Sequence, residues 1–469
     1  MLKKLFSHTA IYGLAPQVTK VASFFSLPLI TSELTDIDYG VAGVLTAYTS
    51  ALSVFSMIGL RVVLVNSFFK SPNFYKWGWR QIYGFLSLWN IIYSFLLATL
   101  IYFIVPEEAF NNRYLIVFLN IGPILFFGPT SNLCSTYYQL KQMPLQIAIR
   151  TIILGVLSVG LNILFIVHYK LGYMGWFWSS FIVGVLRNLS YFFPLNYILK
   201  LTPIFNFKWR YIRSALKISL PMVPHYYSSY LLESSDKLIM DVMKVPTANI
   251  GRYNIAYTVG KFTNSLGTAS GLAVGPLLNG YYKKNDDKSA AGLIFILQIS
   301  FLIITFILSI WMKELFGLLI KNVELASMYY LGVIIVMAYN YRPMYFGANA
   351  KLMYIEKTNL LWRVTFGAGI INLLLNICFI PIFGFEVAAY TTFVSYMVMG
   401  YSGYYFKVFS DNSDAKFYPM FWLFLTIILT VFAKITVEFE QEYKIFISLI
   451  TLGIGTLFIY KINNKIHAI

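Results

Sequence analysis

The chain has 469 residues, 58% of them hydrophobic and only 12% charged, with 36 Lys and Arg against 19 Asp and Glu for a formal charge of +17. That balance lies outside the range of soluble globular domains and excludes a water-soluble enzyme. The positive excess is spread between apolar runs instead of forming one basic patch, so it reads as membrane topology, and no nucleic-acid partner is expected.

Apolar runs long enough to cross a hydrocarbon core, which takes about 20 residues as a helix, recur from His8 to Tyr460. In chain order they predict helices over His8–Thr31, Tyr39–Leu60, Gln81–Ile104, Tyr114–Leu133, Leu145–Val167, Gly172–Ile198 and Ala215–Met243. Ile250–Leu278, Ala291–Met312, Leu325–Gly347, Leu361–Ile380, Gly384–Phe406, Phe417–Phe432 and Ile445–Tyr460 follow, giving about 14 transmembrane helices by length.

Basic residues occupy alternate connections: Lys3 and Lys4, Arg61 to Arg80, Lys141 and Arg150, Lys200 to Lys217, Lys283 to Lys288, Lys351 to Arg363, Lys407 and Lys416, and Lys461 and Lys465. Acids mark the opposite side, at Glu33, Asp36 and Asp38, at Glu107 and Glu108, and at Glu438, Glu440 and Glu442. The positive-inside rule then places both termini in the cytoplasm. Trp77, Trp79, Trp176, Trp178, Trp311 and Trp362 fall near helix ends, where amphipathic rings favour the interface. Pro16, Gln17 and Lys20 interrupt the first apolar stretch, so it reads as a retained helix and not a cleaved signal peptide. Cys134 and Cys378 lie in distant helices and imply no disulfide framework.

The halves repeat. Leu161-Asn162-Ile163-Leu164-Phe165-Ile166 matches Leu375-Asn376-Ile377-Cys378-Phe379-Ile380, and each is followed by a glycine opening the next span, Gly172 or Gly384. Gly13-Leu14-Ala15-Pro16-Gln17-Val18 resembles Ile218-Ser219-Leu220-Pro221-Met222-Val223, and Tyr39-Gly40 resembles Ile250-Gly251. The expected fold is all-α integral membrane: a six-helix unit over 1–200, a second in the same orientation over 201–410, related by pseudo-two-fold symmetry, and two further helices over 411–469. Parallel repeats of this kind occur among secondary transporters, with the substrate site at their interface and interrupted helices marking it. Pro16, Pro221 and Pro224 sit at matching places in the first helix of each half, which fits either that role or the general frequency of proline in membrane helices.

Ionisable groups inside spans cost roughly 2.5–3.5 kcal/mol each on insertion scales and face protein or water. Lys20, Arg187, Lys261 and Arg342 lie within predicted spans without an acid in their own helix, so an anionic ligand or a partner from another helix must compensate them. Arg342 is near enough to an end to snorkel. In the seventh helix His225, Ser229, Glu233, Lys237 and Asp241 recur every fourth residue and predict one polar stripe, with Asp236 beside it. The stripe is either a set of intrahelical ion pairs at Glu233–Lys237 and Lys237–Asp241 or the wall of a water-filled cavity. The sequence holds no phosphate-binding glycine–lysine loop, no metal-ligand spacing among its four histidines and no long extramembrane segment. No catalytic residues, metal or cofactor are expected.

Lys217-Ile218-Ser219-Leu220-Pro221-Met222-Val223-Pro224-His225, then Ser234-Ser235-Asp236-Lys237-Leu238 and Gly251-Arg252-Tyr253-Asn254-Ile255-Ala256-Tyr257, resemble the central signature of bacterial polysaccharide flippases. These O-antigen and capsule repeat-unit flippases share a superfamily with multidrug extrusion proteins and the lipid II flippase. The resemblance implies two six-helix bundles in a V working by alternating access in the bacterial inner membrane. It also implies a substrate of undecaprenyl pyrophosphate carrying an oligosaccharide, with membrane lipids, a polysaccharide polymerase and chain-length proteins as partners. Lys20, Arg187, Lys237, Lys261 and Arg342 are the candidate substrate-binding residues. Glu233, Asp236 and Asp241 are either structural or couple transport to a proton or sodium gradient or to the membrane potential. A multidrug or cation exporter of the same superfamily is the alternative, and a membrane polymerase or glycosyltransferase a more distant one.

Overall fold

A computed structural model of the protein describes residues 2–467, and every described element is a helix or a turn. The side chains of Lys3, Lys4, Leu14, His225, Ser229 and Lys465, all singled out in the sequence, lie outside the described residues. Eight of the described helical segments are long and apolar enough to cross a membrane. The chain is thus an all-α, multi-pass membrane protein. It divides into two compact units, Met1–Tyr230 with Pro246–Gly251, and Leu231–Val245 with Arg252–Ile469.

The first unit runs through α1 (Leu2–Thr31), α2 (Asp36–Ser53), α3 (Arg61–Lys70), α4 (Tyr75–Ile104), α5 (Arg113–Phe127), α6 (Thr130–Leu140), α7 (Pro144–Ile163), α8 (Met174–Phe193), α9 (Trp209–Ser219) and most of α10 (Val223–Glu233). The acids that mark topology in the sequence also start a helix. Asp38 N donates to Thr35 Oγ1 at 3.2 Å while Thr35 N donates to Asp38 Oδ2 at 2.8 Å, a reciprocal cap at the head of α2. The other oxygen of Asp38 accepts Tyr173 N at 2.8 Å, tying α2 to the head of α8. Trp79, Ile82, Leu86, Leu64, Cys134 and Leu195 form a buried core between these helices.

Two predicted spans of this unit are corrected. Tyr39–Leu60 continues to Lys70 across a 3-10 turn at Val54–Ser56. Tyr114–Leu133 is broken: Gly128 adopts φ 52° and ψ −134°, a conformation open to glycine alone, and Pro129 has no amide hydrogen with which to continue the helix. The polar segment beyond the break re-forms as α6, whose Thr130 hydroxyl sits 2.9 Å from Tyr83 OH.

The second unit contains α11 (Ser235–Val242), α12 (Thr247–Lys283) from Arg252 onward, α13 (Asp287–Ile310), α14 (Met312–Leu319), α15 (Val323–Ala326), α16 (Tyr329–Ala338), α17 (Tyr341–Tyr354), α18 (Leu361–Phe383), α19 (Val387–Tyr401), α20 (Lys407–Asp411), α21 (Pro419–Thr436) and α22 (Gln441–His467). The predicted span Leu325–Gly347 is also broken, between α16 and α17. The carbonyl of Asn340, released by the break, accepts Gln298 Nε2 at 3.2 Å, and its side chain bonds Thr305 at 2.7 Å. The fourth span of each half is therefore interrupted. The prolines that repeat in the first spans do not act alike: α1 continues through Pro16, whereas Pro221 lies in a 3-10 turn that separates α9 from α10.

The seventh span, predicted as one helix from Ala215 to Met243, is three pieces, with a second break at Ser234 where φ is −141°. That break leaves Glu233 at the end of α10 and Lys237 and Asp241 on α11, so the predicted stripe is not carried by one helix. The C-terminal α21 and α22 pack on α13. Phe306 stacks on Phe432 at 5.8 Å, Trp311 Nε1 donates to Ser448 Oγ at 3.1 Å, and the buried Lys444 donates to Glu314 at 2.6 Å.

Candidate functional site

In the first unit α6, α7 and α8 enclose a cavity of about 210 Å³ whose wall includes Asn132, Ser135, Arg150, Thr151, Arg187 and Tyr191. Arg150 is held by neutral acceptors only. Its Nη1 donates to Gln146 O at 2.6 Å and its Nε and Nη2 to Ser190 O at 3.3 Å, while the guanidinium lies 4.9 Å from the ring centre of Tyr191 and 5.6 Å from that of Tyr138. Among the described residues no carboxylate lies within ion-pair distance of Arg150 or Arg187, and none lines the cavity. Two uncompensated cations beside one small cavity make an attractive field for an anion, strengthened by the low dielectric of a membrane protein.

A second cavity, of about 310 Å³, shares Asn132 and Ser135 with the first and adds the hydroxyls of Ser53, Ser56 and Thr136, the amide of Gln139, the guanidinium of Arg61 and the apolar Val54 and Met57. Arg61 Nη2 donates to Gln139 Oε1 at 2.6 Å at its edge.

In the second unit Asp236, 1% exposed, sits in a complete shell of donors. Tyr253 OH donates to Oδ2 at 2.6 Å, Thr392 Oγ1 to Oδ2 at 2.9 Å and Asn376 Nδ2 to Oδ1 at 2.8 Å. Thr391 Oγ1 in turn donates to Asn376 Oδ1, and Asn376 Nδ2 also reaches Asn372 Oδ1 at 3.1 Å. Both carboxyl oxygens of Asp236 are thus hydrogen-bonded to neutral donors, with Lys237 next to it in the chain. Lys237, 7% exposed, places its ammonium 4.9 Å from the ring centre of Tyr257.

The candidate residues fall into separate settings. Of the five basic ones only Lys237 is buried; Lys20, Arg187 and Lys261 are exposed and Arg342 half-buried, which corrects the expectation of a uniformly buried set. Lys261, an exposed residue, meets Glu233 of another helix at 3.7 Å. Arg342 Nη2 donates to Asn264 Oδ1 instead of snorkelling. Its Nε is buried without a partner. Lys20 follows Thr19, whose hydroxyl approaches the carbonyl of cavity residue Thr151 at 3.5 Å. Asp241 is half-buried at the end of α11. Glu233, Asp236, Lys237 and Lys261 thus gather in the second unit, and Arg187 joins Arg150 in the first.

Arg150, Asn132, Gln139, Asn376 and Thr392 were missed as site residues. Arg150 counts as a cytoplasmic charge in the topology reading although the predicted span Leu145–Val167 contains it, and α7, beginning at Pro144, carries it in its second turn. The signal for the others was present: Asn132, Ser135, Thr136 and Gln139 recur at helical spacing, and Asn376 is the polar residue of the internal repeat. Among the described residues no group of three or more His, Cys, Asp or Glu is placed to hold a metal.

The family described as "Polysaccharide biosynthesis protein" matches residues 34–271. The fold is similar to the lipid II flippase MurJ in an inward closed conformation, with a TM-score of 0.67 at 13% identity over 96% of this chain and 98% of that one. It is also similar to the Vibrio cholerae MATE transporter VcmN, with a TM-score of 0.57 at 13% identity over 86% and 95%. An MOP superfamily transporter from Pyrococcus furiosus gives 0.52 at 13% identity over 91% and 96%. No curated protein sequence matches the chain. At such identities the likeness extends to the fold alone.

Proposed function

We propose that this chain, which belongs to the polysaccharide biosynthesis protein family, is a flippase carrying undecaprenyl-pyrophosphate-linked oligosaccharide repeat units from the cytoplasmic to the outer leaflet of the bacterial inner membrane by alternating access. The observation that carries this reading is the cavity between α6, α7 and α8, walled by Arg150 and Arg187 and free of carboxylates. A diphosphate is a strong match for planar, uncompensated guanidinium groups.

With both termini in the cytoplasm, as the distribution of lysine and arginine favours, the start of α7 and the end of α8 lie on the cytoplasmic side, where the glycolipid is made. Lys20, Lys237, Lys261 and Arg342 are assigned to the same headgroup along its path. Asp236 is the leading candidate for coupling to a proton or sodium gradient, with Glu233 and Asp241 behind it. A polysaccharide polymerase and chain-length proteins are the expected partners downstream. The exporter reading calls for an acid-lined cavity, and the cavity wall described above holds none. The reaction is transport, with no bond made or broken by the chain.

Deletion of the gene, followed by leaflet-resolved analysis of undecaprenyl-linked oligosaccharide, tests the reading. Accumulation on the cytoplasmic leaflet, reversed by the intact protein, is the expected result. Unpolymerised single repeat units on the outer face would instead mark a polymerase and overturn it.

A further inference from the structure

The second cavity of the first unit holds more hydroxyl and amide groups than its neighbour and a single guanidinium, that of Arg61, which is already bonded to Gln139. At about 310 Å³ it is at the lower end of the range for small-ligand sites. We infer that it is a saccharide subsite that selects which oligosaccharide is carried, an inference that rests on the flippase reading.

The argument is one of donors and acceptors. Ser53, Ser56 and Thr136 each donate their hydroxyl hydrogen to a helical carbonyl, of Ser50, Ser53 and Asn132 respectively, at 2.7–2.8 Å. Their oxygen lone pairs face the cavity as acceptors. Donors come from the amide groups of Asn132 and Gln139, and the Asn132 side chain makes no hydrogen bond to the protein among the described residues. Tyr226, 40% exposed, supplies an aromatic face. A polyol both donates and accepts at every hydroxyl and presents an apolar ring face, so it matches both the polar groups of this wall and its apolar Val54 and Met57. A lipid chain would leave the same groups unpaired, at a cost for each. Asn132 and Ser135 belong to both cavities, so a sugar here would lie directly beside an anion held at Arg150 and Arg187, the order in which diphosphate and sugar follow one another in a lipid-linked saccharide.

The test uses the full-length protein in lipid nanodiscs and two probes: lipid-linked oligosaccharide extracted from cells lacking the protein, and undecaprenyl diphosphate without sugar. Gln139→Ala and Tyr226→Ala, both at exposed positions, should each weaken binding of the oligosaccharide probe about tenfold, the loss expected for one good polar or aromatic contact, and leave the bare diphosphate unchanged. Ser53→Ala, which lines the second cavity and not the first, is the substitute if either variant melts early. Unaltered oligosaccharide affinity, or equal loss for both probes, overturns the subsite while the flippase reading stands. Wild-type protein that binds neither probe overturns the flippase reading and the subsite with it.

Discussion

Gly40 and Gly251, the repeat-related glycines of α2 and α12, lie against each other in the first unit. A Cβ on Gly251 would fall 2.7 Å from the amide nitrogen of Gly40 and 1.8 Å from the carbonyl oxygen of Asp36, and one on Gly40 would fall 2.0 Å from the carbonyl oxygen of Thr247. Backbone is packed directly on backbone, and neither side can yield by a rotamer change. Alanine normally gains about 0.5–1 kcal/mol over glycine inside a helix. Here Gly40→Ala and Gly251→Ala should both destabilise, and thermal unfolding of each variant in detergent should show a lower midpoint than wild type.

The donors around Asp236 make a second prediction. Thr392→Val keeps the shape but removes one hydrogen bond to a buried carboxylate, which should cost about 1.5–3 kcal/mol. Thr392→Ser, which keeps the hydroxyl, should recover most of that stability in the same unfolding measurement. Equal melting of Thr392→Val and wild type would show that the shell does not hold the carboxylate.

Loss of charge along the proposed headgroup path should stop transport without stopping insertion. Lys20→Ala and Lys261→Ala should each abolish surface glycan in cells while membrane levels stay normal by immunoblot. Surface polysaccharide unchanged in both variants would overturn the basic path.

At the other end of the second unit Lys351 and Asp287 form a buried ion pair at 2.7 Å, with side chains 9% and 6% exposed, and Asp287 also accepts the amide of Asp414 at 3.1 Å. Removing one partner strands a buried charge, so Lys351→Met should cost about 3–5 kcal/mol. Replacing both, with Asp287→Leu added, should restore part of the loss, and a double-mutant cycle on unfolding midpoints reads the coupling.

The loop between α21 and α22 carries a pH-dependent contact. Hydrogen bonds from Lys313 and then Tyr329 hold the Glu438 carboxyl below the usual range, and the bond to Glu438 raises the Lys313 ammonium. A depressed carboxyl contributes stability that is present above its unfolded pKa and lost as pH falls through the folded value. The elevated lysine contributes stability that is present below its unfolded pKa and lost at still higher pH. The contact is therefore complete between about pH 4.5 and 10. Glu438→Gln should remove the acid limb from a plot of unfolding midpoint against pH.

Much of the architecture could be read directly from residue order. Spans about 20 residues long, alternating charge and a repeated Leu-Asn-Ile motif are local patterns, and lipid permits few ways to satisfy the backbone over such lengths. The interruptions were harder to see. Gly128-Pro129 carries a recognisable breaker, and at Tyr339-Asn340 the breaker stands four residues downstream, where Pro343 cannot donate to the Tyr339 carbonyl; Gln298 and Thr305 of α13 then bond the freed Asn340. Arg150 was passed over because its charge reads as a cytoplasmic topology signal, and nothing local shows that Ser190, on the neighbouring helix, captures the guanidinium.

Composition and periodicity alone were enough for an all-helical, multi-pass membrane chain of two related halves with too many basic groups inside it, because hydrophobic length and charge act over one helix at a time. The pairing of those charges came only with packing. Asp236 meets Asn376 and Thr392 across 140 and 156 residues of chain, and Glu233 meets Lys261 of another helix at 3.7 Å. No helical period encodes contacts of that separation; they exist only once neighbouring helices have closed around the carboxylate.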